Sequence, residues 1–467
     1  MIKRSTDAVR QAWTVLGGDP ARVTAVEYGG PSEVLPSRLP VRELARATVA
    51  VCGLAAAELT AARNGGAPPR VRVDDGAVAT AFVSERQLRL DGRAPVNFAP
   101  LSRFWRTSDG WVRTHANYPH HRAGLLNALG LPAADGDNDR ALVERVAAEL
   151  ARRTAEEVQE AVYAAGGLAV AARTLGQWAA HPQGAEVARR PLLSLQRTGE
   201  GPVRALPAAA APAAGLRVLD LTRVIAGPVA TRTLGLLGAD VLRVDSPGLP
   251  ESQDAHNDTG FGKRSTVLDL ARRADRAVFE ELLSTADVVI TGYRPGALDR
   301  YGLSAEALAE RRPGLVIGQL SAWGAYGPWG GRRGFDSLVQ VACGIAAAEA
   351  DAEGNPGALP AQALDHGTGY LLAAAVLRAV AEQHTAGGTY QAALALAQTA
   401  HWLLNGVSPD EGSAPERYQP ETYLAEARGE LGVLRYALPP VAFDGGPANW
   451  SRVPDRWGTD KAEWSAP

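Results

Sequence analysis

The sequence predicts an α/β fold: a doubly wound parallel sheet with a smaller α+β region beside it. Three observations carry that expectation. From residue 216 short apolar runs alternate with helical stretches, the length of 467 residues exceeds what one hydrophobic core organises, and a Pro/Ala-rich stretch divides the chain at 204–215. Hydrophobic residues make up 46% and charged residues 21%, so both parts have the means to bury a core.

The elements of the second part follow in order. "LRVLDL" (216–221) is a short apolar strand, and "AGPVATRTLGLLGA" (226–239) is a helix with Pro228 in its first turn, where a missing N–H costs nothing. "DVLRVD" (240–245) is the next strand, followed by a helix near 273–284, the strand "DVVITG" (287–292), a helix from Ser304 and the strand "LVIGQL" (315–320). Ligands of such sheets bind beyond the carboxyl ends of the strands. Here those ends run into "TRVIAG", "DSPG", "TGYRPG" and the Gly/Pro/aromatic loop "SAWGAYGPWGGRRGFD". Residues 1–203 read differently, with helices near 40–62 and 139–155 around a strand-like middle, "RVRVDD" and "WVRTHA". The expected division is therefore 1–203, a linker at 204–215, a doubly wound sheet domain at 216–405, and an extended tail at 406–467 that packs on the body.

Charge and cysteine content narrow the function. A net charge of −3 gives no general affinity for nucleic acid or an anionic membrane. No apolar stretch reaches the ~18 residues of a membrane span, and "MIKRSTDAVRQAW" lacks the apolar core of an export signal. Two cysteines in so long a chain fit a reducing, cytoplasmic setting. "THANYPHH" gathers His115, His120 and His121, but no carboxylate or cysteine stands at ligand spacing, so no metal site is expected. "GLLGAD" lacks the G-x-G-x-x-G spacing of a dinucleotide turn.

The chain also repeats itself. With Pro40 placed over Pro360, Leu44 meets Leu364, Thr48 meets Thr368 and Ala55 meets Ala375 along two apolar helices, each ending in a glycine pair. A second echo joins 200–212 to 445–457. In that register Asp365 of "ALDHGTGY" faces Ala45, so the first copy lacks the acid and one active site per chain is expected. Asp365 stands where a carboxylate either caps a helix or, favoured by the positive helix N-terminus and with Gly367 and Gly369 leaving space, reacts with a substrate.

These motifs together resemble the class III CoA-transferases, the family of formyl-CoA and carnitine CoA-transferases and of α-methylacyl-CoA racemase. "GLRVLDLTRVIAGPVATRTLGLLGADVLRVDSPG" (215–248), "GKRSTVLDL" (262–270), "ADVVITGYRPGALDRYGLS" (286–304), "LSAWGAYGPWGGRRGFD" (320–336) and "LDHGTGY" (364–370) follow in family order. "FWRTSDGWVRTHANYPHHRAGLLNALG" (104–130) and "RTLGQWAAHPQG" (173–184) are similar to the family's second half, so a degenerate second half precedes a first half. The resemblance implies a Rossmann-like large domain and a transferase of CoA between an acyl-CoA and a carboxylic acid, with Asp365 as the nucleophile. It places Val224, Ile225, Lys263, Arg300 and Tyr301 on CoA-contacting positions, while Arg264 and Arg294 add local positive charge. It implies acyl-CoA as substrate rather than a resident cofactor, no metal, and either a homodimer or one chain standing in for two. An acyl-CoA racemase and a CoA-binding protein without chemistry are the alternatives. Racemase members carry a histidine where this chain has Phe335, directly before Asp336.

Overall fold

The computed structural model describes residues 5–96, 98–132, 139–410 and 417–465. Its centre is a seven-stranded sheet whose strands run, edge to edge, Lys263–Val267, Asp240–Asp245, Arg217–Leu221, Val288–Thr291, Val316–Ser321, Thr389–Ala395 and Leu193–Gly199. Six are parallel, and the Leu193–Gly199 edge is antiparallel. Winding proceeds outward from Arg217–Leu221 in one direction, then returns to its other side with Val288–Thr291. Order reverses there, which opens a crevice at the carboxyl ends of those two strands. The expected doubly wound sheet is present, with three strands that its apolar runs did not announce: 263–267, 389–395 and 193–199. "KRSTV" and "LSLQRTG" are edge strands with polar residues, and "TYQAALA" is too alanine-rich to stand out as β.

Helices Val41–Asn64 and Ala363–Ala386, each 24 residues long, lie against each other; Ala363–Ala386 packs on this sheet, and Val41–Asn64 on the small sheet of strands 71–74 and 442–443. Val41–Asn64 is also the one described helix long and apolar enough to cross a membrane, but it is packed inside the protein. One core cluster reaches from Ala8 to Phe443 and includes both helices, so hydrophobic contacts run straight past residues 204–215, which carry no helix or strand. A separate cluster around Leu101, Trp105, Val146 and Val162 fills the α+β region near 101–169. Toward the end of the chain, hairpin Leu424–Gly429/Gly432–Ala437 pairs with Arg89–Leu90, and Trp450 and Trp457 hydrogen-bond to Arg232 and Asp245 of the sheet region.

The repeat is visible in the strands. Val26–Gly29 pairs in parallel with Val71–Asp74, which pairs antiparallel with Ala442–Phe443. The same pattern is made by 316–321, 389–395 and 193–199. Each antiparallel strand just precedes one of the two echoing segments at 200–212 and 445–457. The helix bounds correct the register read from sequence. Pro40 is itself the N-cap of its helix, whereas Pro360 lies two residues before the N-cap Gln362. Both helices close on glycines with positive φ, Gly65 at 75° and Gly387 at 63°. Matching helix to helix places Glu43, not Ala45, opposite Asp365.

Close packing also revises the reading of two glycines. A Cβ on Gly369 would lie 2.6 Å from the Ala226 carbonyl oxygen and 2.8 Å from Val229 Cβ, and one on Gly367 would touch Thr48 and Leu44. These glycines admit neighbouring helices rather than substrate. Gly369→Ala is therefore expected to cost about 1–3 kcal/mol, measured as a lower urea midpoint with an unchanged slope.

Candidate active site

Asp365 sits in the first turn of the Ala363–Ala386 helix, two residues inside its start. It does not cap the helix: the N-cap is Gln362, and no described side chain makes a capping bond there. Its own backbone N–H donates to Asp336 Oδ2 at 2.9 Å. Asp336 opens the short helix Asp336–Ala342, and Gln340, one turn later, donates to its other oxygen while accepting from Leu359 N–H at 2.9 Å. Spacing i to i+4 on that helix puts Gln340 beside Asp336. The result is a fixed acid presenting its charge toward the start of the Asp365 helix.

The Asp365 carboxylate receives no hydrogen bond from any described residue. Burial raises its pKa well above the usual aspartate value, and the charges of Asp336 and then Glu85 push it in the same direction. Asp336 is raised to about 6, chiefly by burial, against which the Asp365 N–H and Gln340 act. Two carboxylates this close titrate as a pair. Next along the chain, His366 is fully buried, stacks on Phe82 with ring centroids 5.3 Å apart, and meets Glu85 Oε2 through Nε2 at 3.2 Å. Burial raises Glu85, but its contact with His366 overcomes that and leaves it below the usual range.

Asp365 lines a cavity of about 470 Å³ whose walls come from both parts of the chain. Glu85, Phe98, His115 and Tyr118 come from the first 203 residues, and Ile225, Asp336 and Asp365 from the second part. A second cavity, about 410 Å³, occupies the crevice at the strand-order reversal, where Leu221, Val244 and Gly292 end their strands. Tyr118, Val224 and Phe335 line both, so the two spaces meet across these three residues. Val224 holds φ at 71°, an unusual conformation for a β-branched residue that strain at a functional turn would explain.

Of the residues picked out from sequence, Val224, Arg300 and Tyr301 share the second cavity, with the Arg300 guanidinium 4.7 Å over the Tyr301 ring, while Val224, Ile225 and Asp365 share the first. Lys263 is a correction. Its ammonium is wholly buried, bonded to Asp220 at 3.0 Å and to the Pro228 carbonyl at 3.0 Å, and it lines neither cavity. Buried so deeply, it serves Asp220 rather than a phosphate. Arg264 likewise turns to Asp240 at 2.8 Å. The positive charge of the second cavity comes instead from Arg223, Arg294, Arg300, Arg332 and Arg333, of which Arg294, Arg300 and Arg333 have no carboxylate partner among the described residues.

The aromatic loop divides its labour. Trp323 and Trp329 are buried against Trp178, while the loop's two ends, Ser321–Ala322 and "RRGFD", reach the cavities. There Phe335 stacks face to face on His115 at 3.8 Å. His115 and His121 are both lowered to about 3, first by burial and then by neighbouring positive groups, so they stay neutral near pH 7. Among the described residues no group of three or more His, Cys, Asp or Glu could hold a metal. In "THANYPHH", His115, Tyr118, His120 and His121 line the cavities. Glu85 was the residue sequence reasoning missed. "SERQ" carries no motif, and only the fold brings it to Asp365.

The first copy's counterpart is a closed version of the same feature. Glu43 accepts from Arg42 at 2.7 Å and from the Asp410 N–H at 3.2 Å, so its charge is spent locally. Asp365 is the one left open.

Comparison with known proteins gives a consistent result. The family model for CoA-transferase family III matches residues 29–212 and again residues 213–429. "Acetyl-coenzyme A transferase nodX" of Hypoxylon pulicicidum is 35% identical over 202 residues, which is 42% of this chain and 34% of that protein. "Probable fatty acyl-CoA transferase Rv3272" of Mycobacterium tuberculosis is 34% identical over 191 residues, covering 38% and 48%. "Succinate--glutarate CoA-transferase" of Agrobacterium fabrum is 31% identical over 248 residues, covering 47% and 62%. Among solved structures, the orthorhombic form of Rv3272 is 34% identical over 42% of this chain and 56% of that one, with a TM-score of 0.40. The chain thus spans between a third and under two thirds of these curated relatives. Matched twice in succession over most of its length, this chain belongs to CoA-transferase family III.

Proposed function

We propose that this protein transfers CoA between an acyl-CoA thioester and a carboxylic acid, with Asp365 as the nucleophile. One observation carries the reading: an unbonded carboxylate, Asp365, lines a cavity that adjoins an arginine-lined one at the sheet's reversal point. The arginines suit the phosphates of CoA, Tyr301 offers a face to its adenine, and the passage by Tyr118, Val224 and Phe335 leads a thioester toward Asp365. Relatives named for acetyl-, fatty acyl- and succinate–glutarate transfer support the same reaction class.

The chemistry balances with these groups alone. The Asp365 carboxylate attacks the thioester carbonyl; its C–S bond breaks, giving a mixed anhydride and CoA thiolate. The thiolate then attacks the aspartyl carbonyl of the anhydride, releasing the first carboxylate and leaving an aspartyl-CoA thioester. The acceptor carboxylate attacks that thioester and again forms an anhydride and thiolate. The thiolate finally attacks the acceptor's carbonyl, which yields the new acyl-CoA and free Asp365. Each anionic nucleophile replaces an anionic leaving group, and no proton need enter or leave.

A nucleophile with a raised pKa is a stronger one once ionised, and the proximity of Asp336 and Glu85 destabilises the charged ground state that the reaction consumes. The positive end of the Ala363–Ala386 helix works against that repulsion, so enough of the ionised form survives. Proton exchange at the α-carbon would use a histidine where Phe335 stands, and a protein that only bound CoA would leave Asp365 unmodified.

Incubation with acyl-CoA and hydroxylamine should convert Asp365 to a hydroxamate, seen by peptide mass spectrometry. Asp365→Asn should lower turnover at least about 1,000-fold. Full turnover in that variant would refute the assignment. The acid limb of kcat/KM should follow the raised pair, with activity lost as protonation of Asp365 proceeds on lowering pH. Asp336→Asn removes a like charge and should move that limb to lower pH. Folding should respond in the opposite sense. A carboxyl whose folded pKa is raised destabilises the fold above that pKa, and the effect vanishes below the unfolded value. Asp365→Asn should therefore be more stable than the wild type at pH 8, but not at pH 3, as read from urea midpoints at the two pH values.

A further inference from the structure

Part of the lining of the Asp365 cavity is apolar. Pro95, Val96, Phe98, Pro250 and Ala255 form it. Val96 is 79% exposed and Phe98 41%, two of five large apolar side chains left open among the described residues. No described residue covers them.

The charged groups on this lining are already committed. Glu251 lies 3.5 Å from both Arg223 and Arg243, Asp254 holds Arg93 through two bonds at 2.7 and 3.1 Å, and Asp258 lies 3.5 Å from Arg232. Arg86, the one lysine or arginine on the lining, donates to the Pro360 carbonyl at 2.7 Å and lies 3.7 Å from Glu85. Arg113 stays behind the wall, its guanidinium stacked on Phe98 at 5.5 Å and on Phe104 at 4.7 Å. Around the reacting position stand two further acids, Asp336 and Glu85.

We infer that the acyl group exchanged at Asp365 is an uncharged, apolar chain, aliphatic or aromatic, seated against Val96 and Phe98, and that short dicarboxylic acids are poor partners. The inference rests on the transferase reading above and deepens it by naming the substrate class. A second carboxylate on the acyl group would leave water, meet Asp336 and Glu85 as like charges, and find no uncommitted cation. An apolar tail instead removes its own surface and that of Val96 and Phe98 from water. Donor and acceptor acids react at one carboxylate in turn, so both use this wall and both are of this class.

Titration calorimetry on full-length Asp365→Asn, which binds without turning over, tests the wall directly with hexanoyl-CoA, succinyl-CoA and free CoA. Hexanoyl-CoA should bind about 10- to 100-fold tighter than CoA, and succinyl-CoA no tighter than CoA. Val96→Arg, on an open surface where folding is not at stake, should cut the hexanoyl advantage and strengthen succinyl-CoA binding, each about tenfold. Equal affinity for the two acyl-CoAs, or no gain of either over CoA, overturns the inference. A clear hexanoyl preference without any acylation of Asp365 in the wild-type chain would sustain the apolar wall and refute the transfer step instead.

Discussion

Everything near Asp365 depends on the contact between helices Val41–Asn64 and Ala363–Ala386. Small residues allow their close approach, with Gly367 set against Leu44 and Thr48. Further along, Arg378 bonds Glu58 of the facing helix at 2.5 Å and Glu382 of its own at 2.6 Å. On its other side the Asp365 helix presses on Ala226 and Val229, the first turns of the helix that follows Val224 and Ile225. One rigid element thus fixes the turn of Asp365 relative to the turn at Val224 and Ile225. Side chains sited on such an element hold their geometry far better than side chains on a loop.

That rigidity is what makes the clustered acids tolerable. Free to move, Asp336, Asp365 and Glu85 would separate or draw in water. Held by Gln340, by the Asp365 backbone and by His366, they stay near one another, their repulsion only partly offset by these partners. The stress is local, and the surrounding packing sustains it. The strained Val224 at the junction of the two cavities belongs to the same pattern.

Sequence made the sheet legible where burial on both faces leaves a plain apolar run, as in "VVIT", and made Asp365 legible through its motif. It misled in three places, for definite physical reasons. Lys263 looks like a surface cation beside Arg264, yet the fold folds it inward onto Asp220, whose own burial demands a partner. Gly367 and Gly369 look like room for substrate because sequence does not show which helix will lie across them. The register of the repeat slipped by two residues because proline marks a helix start only approximately, being the N-cap in one copy and lying ahead of it in the other. Glu85 had no local signal at all, since its place beside Asp365 comes from long-range contact. The histidine cluster, for which no metal site was expected, packs against Phe335 through His115.

The mismatch between Glu43 and Asp365 has a consequence for how such a protein can change. Were the two halves separate, identical polypeptides, every substitution that altered one wall of a cleft would reappear at its twin, and a gain on one side would be tied to a loss on the other. Joined in tandem, the halves inherit independently. One can let its acid lapse into a salt link with Arg42 and devote its remaining surface to Phe98, His115 and Tyr118, while the other keeps the unbonded carboxylate of Asp365. Symmetry gives way to specialisation, and the cavity wall that the first half supplies is released to vary without disturbing the carboxylate it faces.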